Sequence, residues 1–153
     1  METLQSGRKR ILIDALCAAG LFFICFTLLS AMRGSLQFMD EMDNFAVGLQ
    51  MTKGGVLYKT LFSQHMPLMY YICAFFAQLG AHTVLEFRLW WYVLLALCYT
   101  ALFWRYKKYF GRAVMLLWPV LYLFSVTTQE LCTSILAEQL QAIGMVMLLL
   151  EFL

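Results

Sequence analysis

Residues 8–32 read RKRILIDALCAAGLFFICFTLLSAM, and this stretch decides the class of fold. Three consecutive cations, Arg8, Lys9 and Arg10, precede an apolar run from Ile11 to Met32, which has the ~20 residues that a helix needs to cross a hydrocarbon core. The run is longer than the ~7–15 apolar residues of a secretory signal peptide, and Asp14 lies near its start, within reach of lipid headgroups. It therefore reads as a retained first span. The cations hold residues 1–10 in the cytoplasm and deliver the next segment to the outer face.

The whole chain has the same character. Hydrophobic residues make up 63% of its 153 positions and charged residues 13%, against roughly 45–50% and 25% in soluble domains. So few charges cannot cover a water-facing surface, and so much apolar side chain excludes intrinsic disorder. A net charge of +2, with no continuous basic face, excludes nucleic acid as a partner. Cys17, Cys25, Cys73, Cys98 and Cys132 all lie in or against apolar runs, where a thiol packs as a small hydrophobe. With no CxxC pair and only His65 and His82, a structural zinc site has too few ligands.

Beyond the first span, residues 33–65 form the one long polar stretch and open on Asp40, Glu41 and Asp43. Met42, Phe45, Ala46 and Leu49 recur at i, i+3, i+4 and i+7, which predicts an interfacial helix with these residues on one side, ended by Gly54 and Gly55. Further apolar segments cover Met66 to Ala81, Arg88 to Trp104, Ala113 to Val126, and Leu131 to the end. If the first two both crossed, the basic run RYKKYFGR (residues 105–112) would fall outside, against the positive-inside bias. Met66 to Ala81, short and bracketed by Pro67 and Gly80, is predicted to lie shallow, and Arg88 to Trp104 to cross inward. The expected architecture is an all-α polytopic membrane protein: a single membrane domain over 1–153, with about four transmembrane helices plus interfacial helices in the first outer loop. The last segment stops without a basic or aromatic exit flank and so reads as cut from a longer chain.

Two readings of the acidic loop stay open at the level of the residues. Acids in a first helical turn stabilise unpaired backbone N–H groups by ~0.3–1 kcal/mol each, which accounts for Asp40, Glu41 and Asp43 without any chemistry. Carboxylates beside Lys59 and His65 at the membrane face are equally a candidate site. Glu138, on an otherwise apolar segment, needs a partner, a proton or an aqueous cavity, because a lone carboxylate in lipid costs at least ~2.5 kcal/mol.

The stretch DEMDNFAVGLQMTKGGVLYKTLFSQHMPLMYYICAFF (residues 40–76), followed by Gly80, by Arg88 and Leu89, and by a basic turn ending in Phe110, Gly111 and Arg112, resembles the GT-C membrane glycosyltransferases that use polyprenyl-phosphate sugars. The similarity is to the protein mannosyltransferase and lipid A aminoarabinose transferase family, and to the amino-terminal part of its members. Asn44 and Phe45 stand about where an aromatic-Ala pair is frequent there, and His65 to Pro67 replaces a Lys-Pro-Pro type of run. The resemblance implies sugar transfer to an acceptor hydroxyl on the extracytoplasmic face. It implies Asp40 as catalytic base, Glu41 orienting the acceptor or joining Asp40 on a divalent metal ion, and Tyr58, Lys59, His65 and Arg88 at the substrate phosphate. Glu130 or Glu138 would be a second acidic position. The partners implied are the lipid bilayer and a polyprenyl-phosphate sugar donor, with a carboxy-terminal continuation or a membrane partner completing the enclosure. The competing expectation is a non-catalytic membrane protein that packs in a larger complex through its Met and aromatic faces. A small transporter built around Glu138 is a weaker third, for no paired half-helices or repeats appear.

Overall fold

A computed structural model describes residues 2–34, 39–63, 65–125 and 134–152. They form six helices: α1 (Glu2–Ala31), α2 (Met39–Thr52), α3 (Pro67–Gln78), α4 (Val84–Phe110), α5 (Arg112–Phe124) and α6 (Ala137–Glu151). Among the described residues there is no strand, only an isolated bridge between Leu57 and Leu61.

Two helices are long and apolar enough to cross a membrane: Gly7–Ala31 within α1, and α4. At ~1.5 Å per residue, α4 spans about 40 Å, whereas α3, α5 and α6 reach only about 18–22 Å, short of a ~30 Å core. Four full-length crossings are therefore not present among the described residues. The reason is local: Gly111 separates α5 from α4, and Pro119 sits inside a helix of only 13 residues. Helix α4 runs well past both expected bounds. Thr83 and Glu86 close a capping box at its start, and Lys107 and Lys108 in its last turn oppose the helix dipole at its end.

The buried stripe of α4, Arg88, Tyr92, Leu95, Tyr99, Leu102 and Tyr106, repeats in alternate steps of four and three and faces the rest of the bundle. Helix α1 packs along it through the narrow row Ala18, Leu21, Cys25 and Leu29, leaving Ile11, Leu12, Leu16 and Phe23 exposed. Such exposed apolar breadth suits a lipid-facing helix, not a water-facing one.

Polar contacts fix the relative directions of α1, α4 and α6. Asp14, toward the middle of α1, meets Lys107 at 3.1 Å and Arg112 at 2.5 Å, and the carbonyl of Arg33, just past its end, accepts from Arg88 at 2.7 Å. Helices α1 and α4 are thus antiparallel. Glu151 at the end of α6 pairs with Arg105 at 3.1 Å and accepts from Tyr106 at 2.8 Å. One end of the bundle consequently gathers the basic runs 8–10 and 105–112, and the other gathers Asp40, Glu41, Asp43 and Glu138.

Helix α2 lies against α3, and the side it buries only partly overlaps the apolar stripe Met42, Phe45, Ala46 and Leu49. Glu41, Asn44, Phe45 and Gly48 face inward, while Met42 and Ala46 are exposed. The face is displaced by one residue because the two polar positions find partners inside. Gly48 lets the helices close up, since a Cβ there would lie 2.5 Å from Cys73 Cβ. The predicted stop is where it was expected: α2 ends at Thr52, and Gly54, at φ 93°, turns the chain so that Gly55 N donates to Gln50 O.

Candidate functional site

The three acids at the start of α2 point in different directions because successive helical residues are ~100° apart, and each meets a different environment.

Glu41 turns inward and is fully buried. Arg88 Nε donates to Oε1 at 2.8 Å and Nη2 to Oε2 at 2.7 Å, a two-point pair whose guanidinium is 1% exposed. Ile135 N–H donates to the same Oε1 at 3.2 Å, and the Ile135 carbonyl accepts from Asn44 Nδ2 at 3.0 Å. Both amide groups of Ile135 are thus held by α2, which seats the chain entering α6. Glu41 and Arg88, expected separately at an acceptor or metal and at a phosphate, are brought to one another instead.

Asp43 turns toward the loop after α2. Its Oδ2 accepts from Ser63 Oγ and from Tyr70 Oη, each at 2.8 Å, and the two hydroxyls also touch each other. Burial, reinforced by the Asp43 charge, holds the Tyr70 phenol above its ordinary range, so it stays the proton donor in this network.

Asp40 remains at the surface. It is 59% exposed and stands 3.5 Å from His65 Nε2. Two depressions meet at this pair. One, of about 320 Å³, is bordered by Asp40, Asp43, Phe62, Ser63 and His65. The other, of about 270 Å³, is bordered by Asp40, Asn44, His65, Met66, Met69, Glu138 and Gln141. His65 is placed by its backbone as well, because Tyr58 Oη donates to the His65 carbonyl at 2.6 Å. Tyr58 does so from a left-handed conformation, φ 61°, which a bulky side chain adopts only when its surroundings impose it.

Of the residues singled out by sequence, the fold brings Asp40, His65 and Glu138 around one depression, with Tyr58 behind them. Lys59 is exposed and borders neither depression. Glu130 lies outside the described residues. Asn44, Ser63, Tyr70 and the backbone of Ile135 also belong to the site. Sequence proximity hints at Ser63 beside His65, whereas Tyr70 reaches Asp43 across 27 residues and the two bonds of Ile135 to α2 span 91 and 94.

Asp40 and Glu41 do not form a joint cation site, because they point into different environments. Among the described residues no three His, Cys, Asp or Glu side chains stand together as ligands, and the carboxylate of Glu41 is occupied by Arg88. What the site offers is an exposed carboxylate, an imidazole beside it, and a further carboxylate across a small concavity. No protein-family model, curated protein or solved structure matches the chain.

Proposed function

We propose that this chain takes part in transferring a sugar from a polyprenyl-phosphate donor to an acceptor hydroxyl at the extracytoplasmic face of a cell membrane, as a multi-pass protein of GT-C type with its amino terminus in the cytoplasm. The observation that carries the reading is the exposed Asp40–His65 pair at the junction of two depressions, at the bundle end opposite the basic runs. The positive-inside bias assigns those runs to the cytoplasm and so the pair to the outer face, at headgroup depth.

The chemistry derives from the needs of such a donor. Its prenyl tail stays in lipid, so the phosphate and sugar lie at the interface. Asp40 accepts the proton of the acceptor hydroxyl as that oxygen bonds to the anomeric carbon and the bond from this carbon to the phosphate oxygen breaks. The electron pair leaves with the phosphate, whose oxygen accepts a hydrogen bond from the His65 imidazole, while Tyr58 holds the His65 backbone in place. Glu138 faces the sugar across the second depression. Glu41 and Arg88 orient α2 and make no contact with the reacting atoms.

The test is transfer by the full-length protein in proteoliposomes supplied with polyprenyl-phosphate hexoses. Asp40→Asn is expected to lower turnover by at least about a hundredfold, the lower range for loss of a general base. Unchanged transfer overturns the assignment. A second reading, a membrane protein that only packs against partners, draws support from the burial of Glu41 with Arg88 and the close approach at Gly48, both of which serve packing. On that reading Asp40→Asn leaves assembly intact and no sugar transfer is found in the wild type.

A further inference from the structure

The end of the bundle opposite Asp40 carries more positive charge than the acids beside it neutralise. The runs 8–10 and 105–112 bring seven cations there. Three are paired: Lys107 and Arg112 share Asp14, and Arg105 meets Glu151. Arg8, Lys9, Arg10 and Lys108 are exposed, with no carboxylate within ion-pair distance among the described residues.

The fold makes one surface of these four. Asp14 takes Lys107 from α4 and Arg112 from the start of α5, and Arg10 stands one turn before Asp14 on the same side of α1. Because α1 and α4 are antiparallel, the ~6 Å from Asp14 back to Arg10 carries α1 as far out as α4 runs from Lys107 to the Gly111 turn. The rings alongside give the depth. Trp104, Tyr109 and Phe110 are exposed, with Lys107 Nζ 3.4 Å from the centre of the Trp104 ring and Lys108 Nζ 4.9 Å from that of Tyr109. Exposed Trp and Tyr at the end of an apolar helix settle where hydrocarbon meets headgroups. The unpaired cations, up to a turn or two further out, are then level with lipid phosphates.

We infer that Arg8, Lys9, Arg10 and Lys108 form a binding surface for anionic phospholipids, and that headgroups with a net negative charge collect around this end of α1 and α4. A zwitterionic headgroup brings its own ammonium and gains little from four cations, whereas a headgroup whose phosphate is uncompensated gains from each of them. Exposed cations hold a free phosphate weakly, since salt screens the attraction within ~10 Å at 0.1 M. A lipid is kept in the plane of the leaflet beside them by its tails. The excess of cations on one side sets how the chain is threaded through the membrane; their lack of partners sets which lipid stays beside it. The preference holds whatever chemistry the opposite end performs.

The experiment uses the full chain in phosphatidylcholine nanodiscs, which leave both faces open to buffer, so that a variant inserted in the opposite sense is read equally well. Spin-labelled phosphatidylglycerol or spin-labelled phosphatidylcholine is included as a tracer, and electron spin resonance reads the fraction of each held motionally restricted at the protein. At about 0.01 M salt phosphatidylglycerol is expected to associate at least about fivefold more strongly, the effect of roughly one Lys or Arg at an anionic surface, and at about 1 M salt the two lipids are expected to be near parity. Arg8→Gln, Lys9→Gln and Arg10→Gln together are expected to remove most of the preference, and Lys108→Gln to lower it about twofold. Thermal unfolding is expected to stay unchanged, because all four side chains are exposed. Lys53→Gln, in the turn after α2, is expected to leave the preference intact. Equal association of the two lipids with the wild type, or a preference that survives all four substitutions together, overturns the surface. An equal loss in Lys53→Gln and Lys108→Gln also overturns it, because net charge alone would then attract the lipid. Inorganic phosphate is expected to lower the preference no more than chloride does at the same ionic strength; a larger drop assigns the cations to free phosphate and overturns the lipid.

Discussion

Glu41 and Arg88, 47 residues apart in sequence, form a two-point ion pair sealed from solvent on both sides. Desolvating both charges is costly, so the pair adds little net stability, but removing one partner strands the other. Arg88→Met is expected to destabilise the protein by about 3–5 kcal/mol, whereas Glu41→Met with Arg88→Met recovers a large part of that loss. Denaturant unfolding of the three proteins in one detergent checks the order. A double variant as damaged as the single would mean that the charges are needed beyond each other.

Gly48 sits where α2 and α3 approach most closely, and Gly48→Ala places a methyl 2.5 Å from Cys73 Cβ and 2.9 Å from the backbone N of Ala74. The helices must separate, at a cost of about 1–3 kcal/mol. Thiol labelling reads the separation directly: Cys73 is fully buried in the wild type, and its reaction with a maleimide is expected to accelerate in the variant.

The arrangement of the two ends is open to labelling in intact cells. Cysteines placed at Arg8 and Lys108 are expected to react from the cytoplasmic side only, and one at Glu138 from the outside only. Labelling of positions 8 and 108 from opposite sides would contradict the antiparallel pairing recorded by Asp14 with Lys107 and Arg112.

Tyr70 supplies a pH signature. Its phenol ionises less readily in the folded protein than in the unfolded chain, so above about pH 10 the unfolded state sheds the proton first and stability falls as pH rises toward the folded value. Tyr70→Phe removes this contribution, and its stability is expected to decline less steeply between about pH 9 and 11. Parallel slopes for both proteins would show that Tyr70 does not contribute to the decline.

Tyr58→Phe removes the hydrogen bond to the His65 carbonyl while keeping the ring. On the proposed function, sugar transfer is expected to fall several-fold with unchanged far-ultraviolet circular dichroism, because His65 alone loses its backbone anchor. A fall in helical content would instead make Tyr58 a residue of the fold.

Legibility followed the range of the interactions. Helix α1 and the middle of α4 were readable because apolar length is a local property, and the glycine stop of α2 because a turn is too. The capping box Thr83–Glu86 was equally local and marks where α4 begins, four residues before its apolar run. The face of α2 was not readable by counting apolar residues: Glu41 and Asn44 are inward only because Arg88 and Ile135 neutralise them from far along the chain. The same distance hid the joining of Glu41 to Arg88 and left Asp40 as the one acid of its turn on the rim of both depressions. Glu138 was legible as an anomaly, a carboxylate on an apolar segment, but its place opposite Asp40 depends on the seating of Ile135.

That seating bears on how the protein is made. Glu41 leaves the ribosome 47 residues before Arg88 and 94 before Ile135, the two groups that finally surround its carboxylate. Until Arg88 has been made, the Glu41 carboxylate has no counterpart, and a docked α2 would bury an unpaired charge. A chain halted before residue 88 therefore presents α2 without the partner that lets its inward face close, and leaves that face open to proteases.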